Sequence, residues 1–135
     1  MDKATLDEIR QLRFKVELLE GQRDRHQALM ELTASKLREA GANGIPAADD
    51  LRSKQFEQLE AIKRDIAAAM LVCEAAIANI TPWLCCLPEY QSDYIRARYC
   101  EGKTAEAAIQ TAHIGKTTAW RIENKILKDG TLMER

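Results

Sequence analysis

From Leu6 to Ala40 apolar and polar positions alternate with a helical period. Apolar residues stand at Leu6, Ile9, Leu12, Val16 and Leu19, then at Met30 and Leu37. Steps of mostly three and four put such side chains on one helix face. The segment holds no proline, and its only glycine is Gly21. Arg23 and His26 interrupt the stripe beside that glycine, so a bend or opening is expected there, with His26 partly exposed. Gly41-Ala42-Asn43-Gly44-Ile45-Pro46 then stops the helix and turns the chain. Asp49 or Asp50 is expected to cap the second helix. The second repeat is cleaner: Phe56, Leu59, Lys63, Ile66, Met70, Cys73, Ile77 and Ile80, with Lys63 its sole polar member. Ile62, Ala69 and Ala76 widen it. Two such helices joined by a short turn make an antiparallel hairpin. A stripe this wide exceeds what one partner helix covers, so a homodimer or higher oligomer through the hairpin is expected.

Thr81-Pro82 should end the second helix, with Trp83, Leu84 and Leu87 forming a wedge before the next. Pro88-Glu89 restarts a helix, proline in the first turn and an acid after it. In that helix Tyr94, Ile95, Arg98 and Tyr99 form an inward face, and Gly102 is placed to close it in a left-handed conformation. Thr104 caps a thin helix containing Ala105, Ala107, Ala108 and Ala112. A turn over Ala112-His113-Ile114-Gly115 leads to a last helix, Lys116 to Lys128, with Ile114 as the buried anchor of the turn. The predicted architecture is all-α. An N-terminal antiparallel helical hairpin (coiled coil) spans 1–81, with its turn at about 41–48, and a C-terminal three-helix helix-turn-helix module spans 82–135.

Charge adds a constraint. Residues 1–81 hold 12 Lys and Arg against 14 Asp and Glu, and residues 82–135 hold 8 against 7. A nucleic-acid domain usually carries a clearer basic excess, so any DNA affinity should be modest or helped by a partner. The N-terminus starts with charges and has no apolar core of a signal peptide. The longest uninterrupted apolar run, Ile66 to Cys73, is too short to span a bilayer. A cytoplasmic protein with no membrane partner is expected. Cys73, Cys85, Cys86 and Cys100 then stay reduced. Together with His113 they match no zinc-ligand spacing. No metal site, cofactor or catalytic constellation is expected, and the chain is not expected to be an enzyme.

The candidate chemistry lies on the last helix. At about 100° per residue, Ala119, Ile122 and Ile126 point inward, flanked by Leu127. The opposite face holds Lys116, Thr117, Arg121, Asn124, Lys125 and Lys128, with Thr118 and Trp120 on its borders. Arg and Lys pair with guanine or phosphate, and Asn with adenine. Trp120 suits either a sugar or thymine-methyl contact or a cover over the core. Glu123 falls near the buried side, where Arg98 is its expected partner. These eight outward and border residues are the candidate DNA-binding set.

The order Leu87-Pro88-Glu89, Arg96-Ala97-Arg98-Tyr99, Gly102, Ile114 and Arg121-Ile122-Glu123-Asn124-Lys125 resembles region 4 of bacterial sigma factors. The resemblance covers about residues 87–128. In that family glycine usually stands at the place of His113, and Ser or Thr at the place of Gly115. A helical hairpin followed by such a module is further similar, by architecture alone, to phage and prophage late-gene activators of the ArpU and RinA type. The resemblance implies a sequence-specific regulator of transcription that reads double-stranded DNA with the helix at 116–128, with RNA polymerase a candidate partner. No counterpart of sigma region 2, which melts promoters, occurs in these residues. Two other functions fit the same pattern: a phage DNA-packaging protein like the terminase small subunit, and a module that docks on RNA polymerase without reading DNA.

Overall fold

A computed structural model of the chain describes residues 1–42 and 44–127. Among these the protein is all-helical, with no strand. Helix α1 spans Lys3–Glu39 and α2 spans Pro46–Cys85. Helix α3, Glu89–Ile95, continues as a π-helical turn over Arg96–Cys100. Helix α4 spans Ala105–Ala112. Helix α5, Lys116–Arg121, continues as a second π-helical turn over Ile122–Ile126.

The connection between α1 and α2 forms where the glycines predicted it. Gly41 and Gly44 adopt φ of 68° and 87°, a region open to glycine at little cost. The amide of Ala42 reaches the Leu37 carbonyl at 2.9 Å and that of Gly41 the Arg38 carbonyl at 3.1 Å. This paired closure satisfies carbonyls that a helix end otherwise strands. Helix α2 begins earlier than an aspartate cap requires. Pro46 takes its first position, where a missing N–H is harmless. Ile45 offers its carbonyl to the amides of Ala48 and Asp49, which leaves Asp49 inside the first turn.

The expected stop at Thr81-Pro82 does not occur, because α2 runs through Pro82 to Cys85. Interior proline costs about 3 kcal/mol through a lost hydrogen bond and a ring clash. Burial offsets that cost: Ile80, Trp83 and Leu84 lie on one helix face and are all buried. The helix then closes with the amides of Cys86 and Leu87 on the carbonyls of Trp83 and Leu84.

The described structure divides into two compact units. One comprises Lys15–Met70; the other combines Met1–Phe14 with the described residues from Leu71 onward. This grouping differs from a division at residues 81 and 82. The reason is chemical: Leu6 and Ile9 of α1 sit in one core with Ile80, Trp83, Leu84, Tyr94, Ile95, Ala108, Ile122 and Leu127. In that unit α4 packs on α3 and on its π-helical continuation, and also meets α5.

In the other unit Leu59, Ile66 and Ala69 are buried. Of the stripe expected to hold two chains together, Leu59 and Ile66 are buried within the chain, whereas Phe56 and Met70 are exposed. A polar tie joins α1 to α2 there. His26, half-buried, donates from Nε2 to the Gln55 carbonyl at 2.7 Å, and Gln55 Nε2 donates to Thr33 Oγ1 at 3.1 Å. Gln55 is buried, so these bonds satisfy groups that would be costly to strand. Taken as windows and not as uninterrupted runs, α2 includes an 18-residue stretch of mean hydropathy 1.5, apolar enough by length and composition to cross a membrane. Cys73, Ile80, Trp83 and Leu84 of that helix are buried inside the protein.

The shared core makes a sharp prediction. Leu6→Ala or Ile9→Ala, though remote in sequence from the last helix, should each lower the unfolding free energy by about 2–5 kcal/mol through the cavity left behind. Leu71→Ala, at a site 69% exposed, should change it by less than about 0.5 kcal/mol. Denaturant unfolding followed by circular dichroism measures all three.

Candidate nucleic-acid interface

Helix α4 is built to approach its neighbours closely. Thr104 caps it, its hydroxyl accepting from the Ala107 amide at 3.2 Å. Ala108 and Ala112 form its buried edge. The helix ends at His113, which has φ 55° and ψ 44°. This is a left-handed conformation, which histidine adopts more readily than β-branched residues do. The chain turns through half-buried Ile114, and Gly115 then starts α5 in extended conformation.

The expected inward set of the last helix changes by one position. Ala119 and Ile122 are buried as predicted, but Leu127 replaces Ile126 as the next fully buried residue, and Ile126 is half-buried. The cause is the π-helical turn, whose signature is the Leu127 amide on the Ile122 carbonyl at 2.9 Å. Residues five apart diverge by about 140° in an α-helix, whereas an i→i+5 turn returns them toward one face. The same device operates after α3, where the Glu101 amide reaches the Arg96 carbonyl at 2.9 Å. There it brings Tyr94 and Tyr99 to one side.

Both tyrosines serve one carboxylate. Tyr94 Oη donates to Glu123 Oε1 at 3.0 Å, and Tyr99 Oη donates to Oε2 at 2.6 Å. Lys3 Nζ, from the start of α1, lies 3.1 Å from Oε2. The expected Arg98–Glu123 pair does not form. Arg98 Nη1 donates instead to the Lys103 carbonyl at 3.0 Å, bracing the loop that follows its helix. Two tyrosine hydroxyls and the Lys3 ammonium satisfy the half-buried carboxylate in its place. Burial tends to raise the Glu123 pKa. The hydrogen bonds from Tyr99, Lys3 and Tyr94 outweigh it and hold the carboxyl below the usual range. Burial, and then the carboxylate, push Tyr94 up to about 12 and raise Tyr99 as well.

With Glu123 turned inward, Lys116, Thr117, Trp120, Arg121, Asn124 and Lys125 are exposed on the last helix, and Thr118 is half-buried at their border. No acid is exposed between Lys116 and Leu127. Lys128, the eighth candidate, lies outside the described residues. Trp120 is 55% exposed, so it does not cover the core. Its ring lies 5.7 Å from Lys125 Nζ, a cation–π distance. Asn124 Nδ2 donates one hydrogen to the Trp120 carbonyl at 2.9 Å, leaving its second amide hydrogen and its Oδ1 for other partners.

A groove of about 510 Å³ flanks this face. Tyr90, His113, Thr118 and Arg121 line it over a floor of Ile114 and Ile122. Tyr90 and His113 are therefore neighbours of the candidate face that the sequence did not single out. Tyr90 comes from another helix at no informative spacing, and His113 stood out only as a turn residue. No group of three or more His, Cys, Asp or Glu among the described residues is placed to hold a metal ion. Comparison of the chain with protein-family models, curated proteins and solved structures finds no match.

The carboxylate cluster has a defined pH signature. Glu123→Gln should cost about 1–3 kcal/mol at neutral pH, because an amide cannot accept from both hydroxyls and a lysine as the carboxylate does. A carboxyl with a lowered folded-state pKa contributes stability above its ordinary value of 4.5. That contribution is lost as pH falls through the lower folded value. The melting-temperature gap between wild type and Glu123→Gln should therefore be full at neutral pH and close in acid. A gap that stays constant in acid would contradict the assignment.

Proposed function

We propose that this protein binds double-stranded DNA through the exposed face of α5 and its π-helical continuation, and acts as a sequence-specific regulator of transcription in the cytoplasm. One observation carries the reading. Lys116, Arg121 and Lys125 share a helix surface with Thr117, Trp120 and Asn124, and the only acid among the described residues of that helix turns inward, half-buried, to the tyrosines. A cationic, acid-free helix of this kind suits the major groove, where phosphates attract the lysines and base edges offer acceptors to Arg121. In this reading α3, α4 and α5 form a three-helix helix-turn-helix module, and α1 and α2 form an antiparallel hairpin. The likeness to sigma region 4 over residues 87–128 supports the same assignment, and Lys128 would extend the phosphate contacts.

The small charge excess of residues 82–135 favours weak non-specific binding, with specificity coming from paired half-sites or from RNA polymerase as a second partner. Helix-turn-helix dimers commonly use such half-site pairs. Docking on polymerase without DNA contact is the competing reading, favoured by the same small charge excess. A packaging role like that of a terminase small subunit would use the same face on DNA.

Fragments of the source genome selected for binding, assayed across salt, separate these readings. Arg121→Ala should cost about 1–3 kcal/mol and relax preference at one base position. Lys125→Ala should weaken all sequences alike and reduce the salt slope by about one unit. Retained polymerase binding with no detectable DNA binding would replace the DNA-reading proposal with the docking one.

A further inference from the structure

Tyr90 and His113 lie outside the helix assigned to DNA, yet both border the groove beside it. Tyr90 comes from the first turn of α3, and His113 from the turn before α5. With Thr118 and Arg121 they surround a floor of Ile114 and Ile122. The rim therefore carries neutral donors, the two hydroxyls and the imidazole ring. Arg121 is the only Lys, Arg, Asp or Glu among the described residues that line the groove.

The Tyr90 hydroxyl is held in place. It accepts from Nε2 of buried Gln91 at 3.1 Å, which leaves its own proton for an outside acceptor. Both Tyr90 and His113 are exposed. On their far side the sign of the charge changes. A second cavity of about 410 Å³ shares these two residues but is lined by Glu89 and Asp93. Tyr90 and His113 thus form a ridge between a groove with a cation and a groove with two acids. A polyanion is admitted on the Arg121 side and repelled on the other.

An apolar floor under a rim of donors matches a sugar-phosphate strand. Deoxyribose presents C–H surface, and phosphate oxygens accept from hydroxyls and cations. The groove is also continuous with the exposed face of α5, since Arg121 and Thr118 belong to both. We propose that one strand of a bound duplex lies in this groove, with Tyr90 and His113 donating to its phosphates while α5 occupies the adjoining major groove. The inference rests on the DNA-binding reading and extends it. Two residues from outside the reading helix fix its register against one strand without reading a base.

Tyr90→Phe and His113→Gly in the full chain test it, on duplexes selected by wild type. Phenylalanine removes only the hydroxyl. Glycine removes the ring and keeps the left-handed backbone. Each variant should weaken binding about 2- to 10-fold, the contribution of one hydrogen bond, and by the same factor on every sequence. The salt slope of Tyr90→Phe should equal that of wild type, because a neutral donor releases no counterion. With each backbone phosphate replaced in turn by a neutral methylphosphonate, the gap between wild type and Tyr90→Phe should shrink at one phosphate and persist at the others. Equal binding by wild type and both variants, a loss that depends on base sequence, or a gap unaltered at every phosphate would overturn the inference and leave the DNA-binding reading standing. No duplex binding by wild type would overturn both.

Discussion

Glu123 is the constraint on which the last helix depends. A carboxylate in the middle of a surface otherwise made of Lys116, Arg121 and Lys125 would repel any polyanion. The protein removes it from that surface by giving it three donors inside: the hydroxyls of Tyr94 and Tyr99 and the ammonium of Lys3. The same bonds fix where the helix lies. They join it to the helix before α4 and to the first turn of α1, and they keep the charge of a half-buried acid satisfied. Orientation of the helix and electrostatics of its exposed face therefore have one cause.

Two π-helical turns make that arrangement possible. One turns Tyr94 and Tyr99 toward the same carboxylate. The other places Leu127 in the core after Ile122 and leaves Asn124 and Lys125 outside with Trp120. Such turns are often associated with functional sites in helices. Here the widened turns follow α3 and α5, the two helices that Glu123 links. The participation of Lys3, Leu6 and Ile9 means that the start of α1 is part of the same core. A chain lacking those residues would lose both apolar burial and one partner of Glu123.

Much of this was legible from sequence, for identifiable reasons. Gly41, Gly44, Gly102, Thr104 and His113 each occupy a position whose backbone requirement is local, and local requirements are written in single residues. The outward face of the last helix followed from its period, and six of the eight candidates are exposed as expected. What failed was non-local. Pro82 was expected to end α2 because the burial that offsets its cost comes from residues far along the chain. Arg98 was given to Glu123 by charge alone, since a hydroxyl partner five residues along from another leaves no mark in an α-helical period. The position of Leu127, one residue beyond the expected Ile126, has the same origin. The membership of Leu6 and Ile9 in the second core was invisible because their spacing is that of any amphipathic helix.

The chain has two tryptophans, and the structure gives them opposite environments: Trp120 is exposed on the candidate DNA face and Trp83 is buried in the core. Titration of the isotope-labelled full chain with duplex fragments selected from the source genome, followed through its two indole N–H resonances, therefore reports on the face directly. If the α5 face binds DNA, the Trp120 resonance shifts or broadens with added duplex and the Trp83 resonance stays in place. If binding occurs and Trp120 is unmoved, DNA contacts the protein elsewhere, and the assignment of Lys116 through Lys125 as the reading surface is wrong.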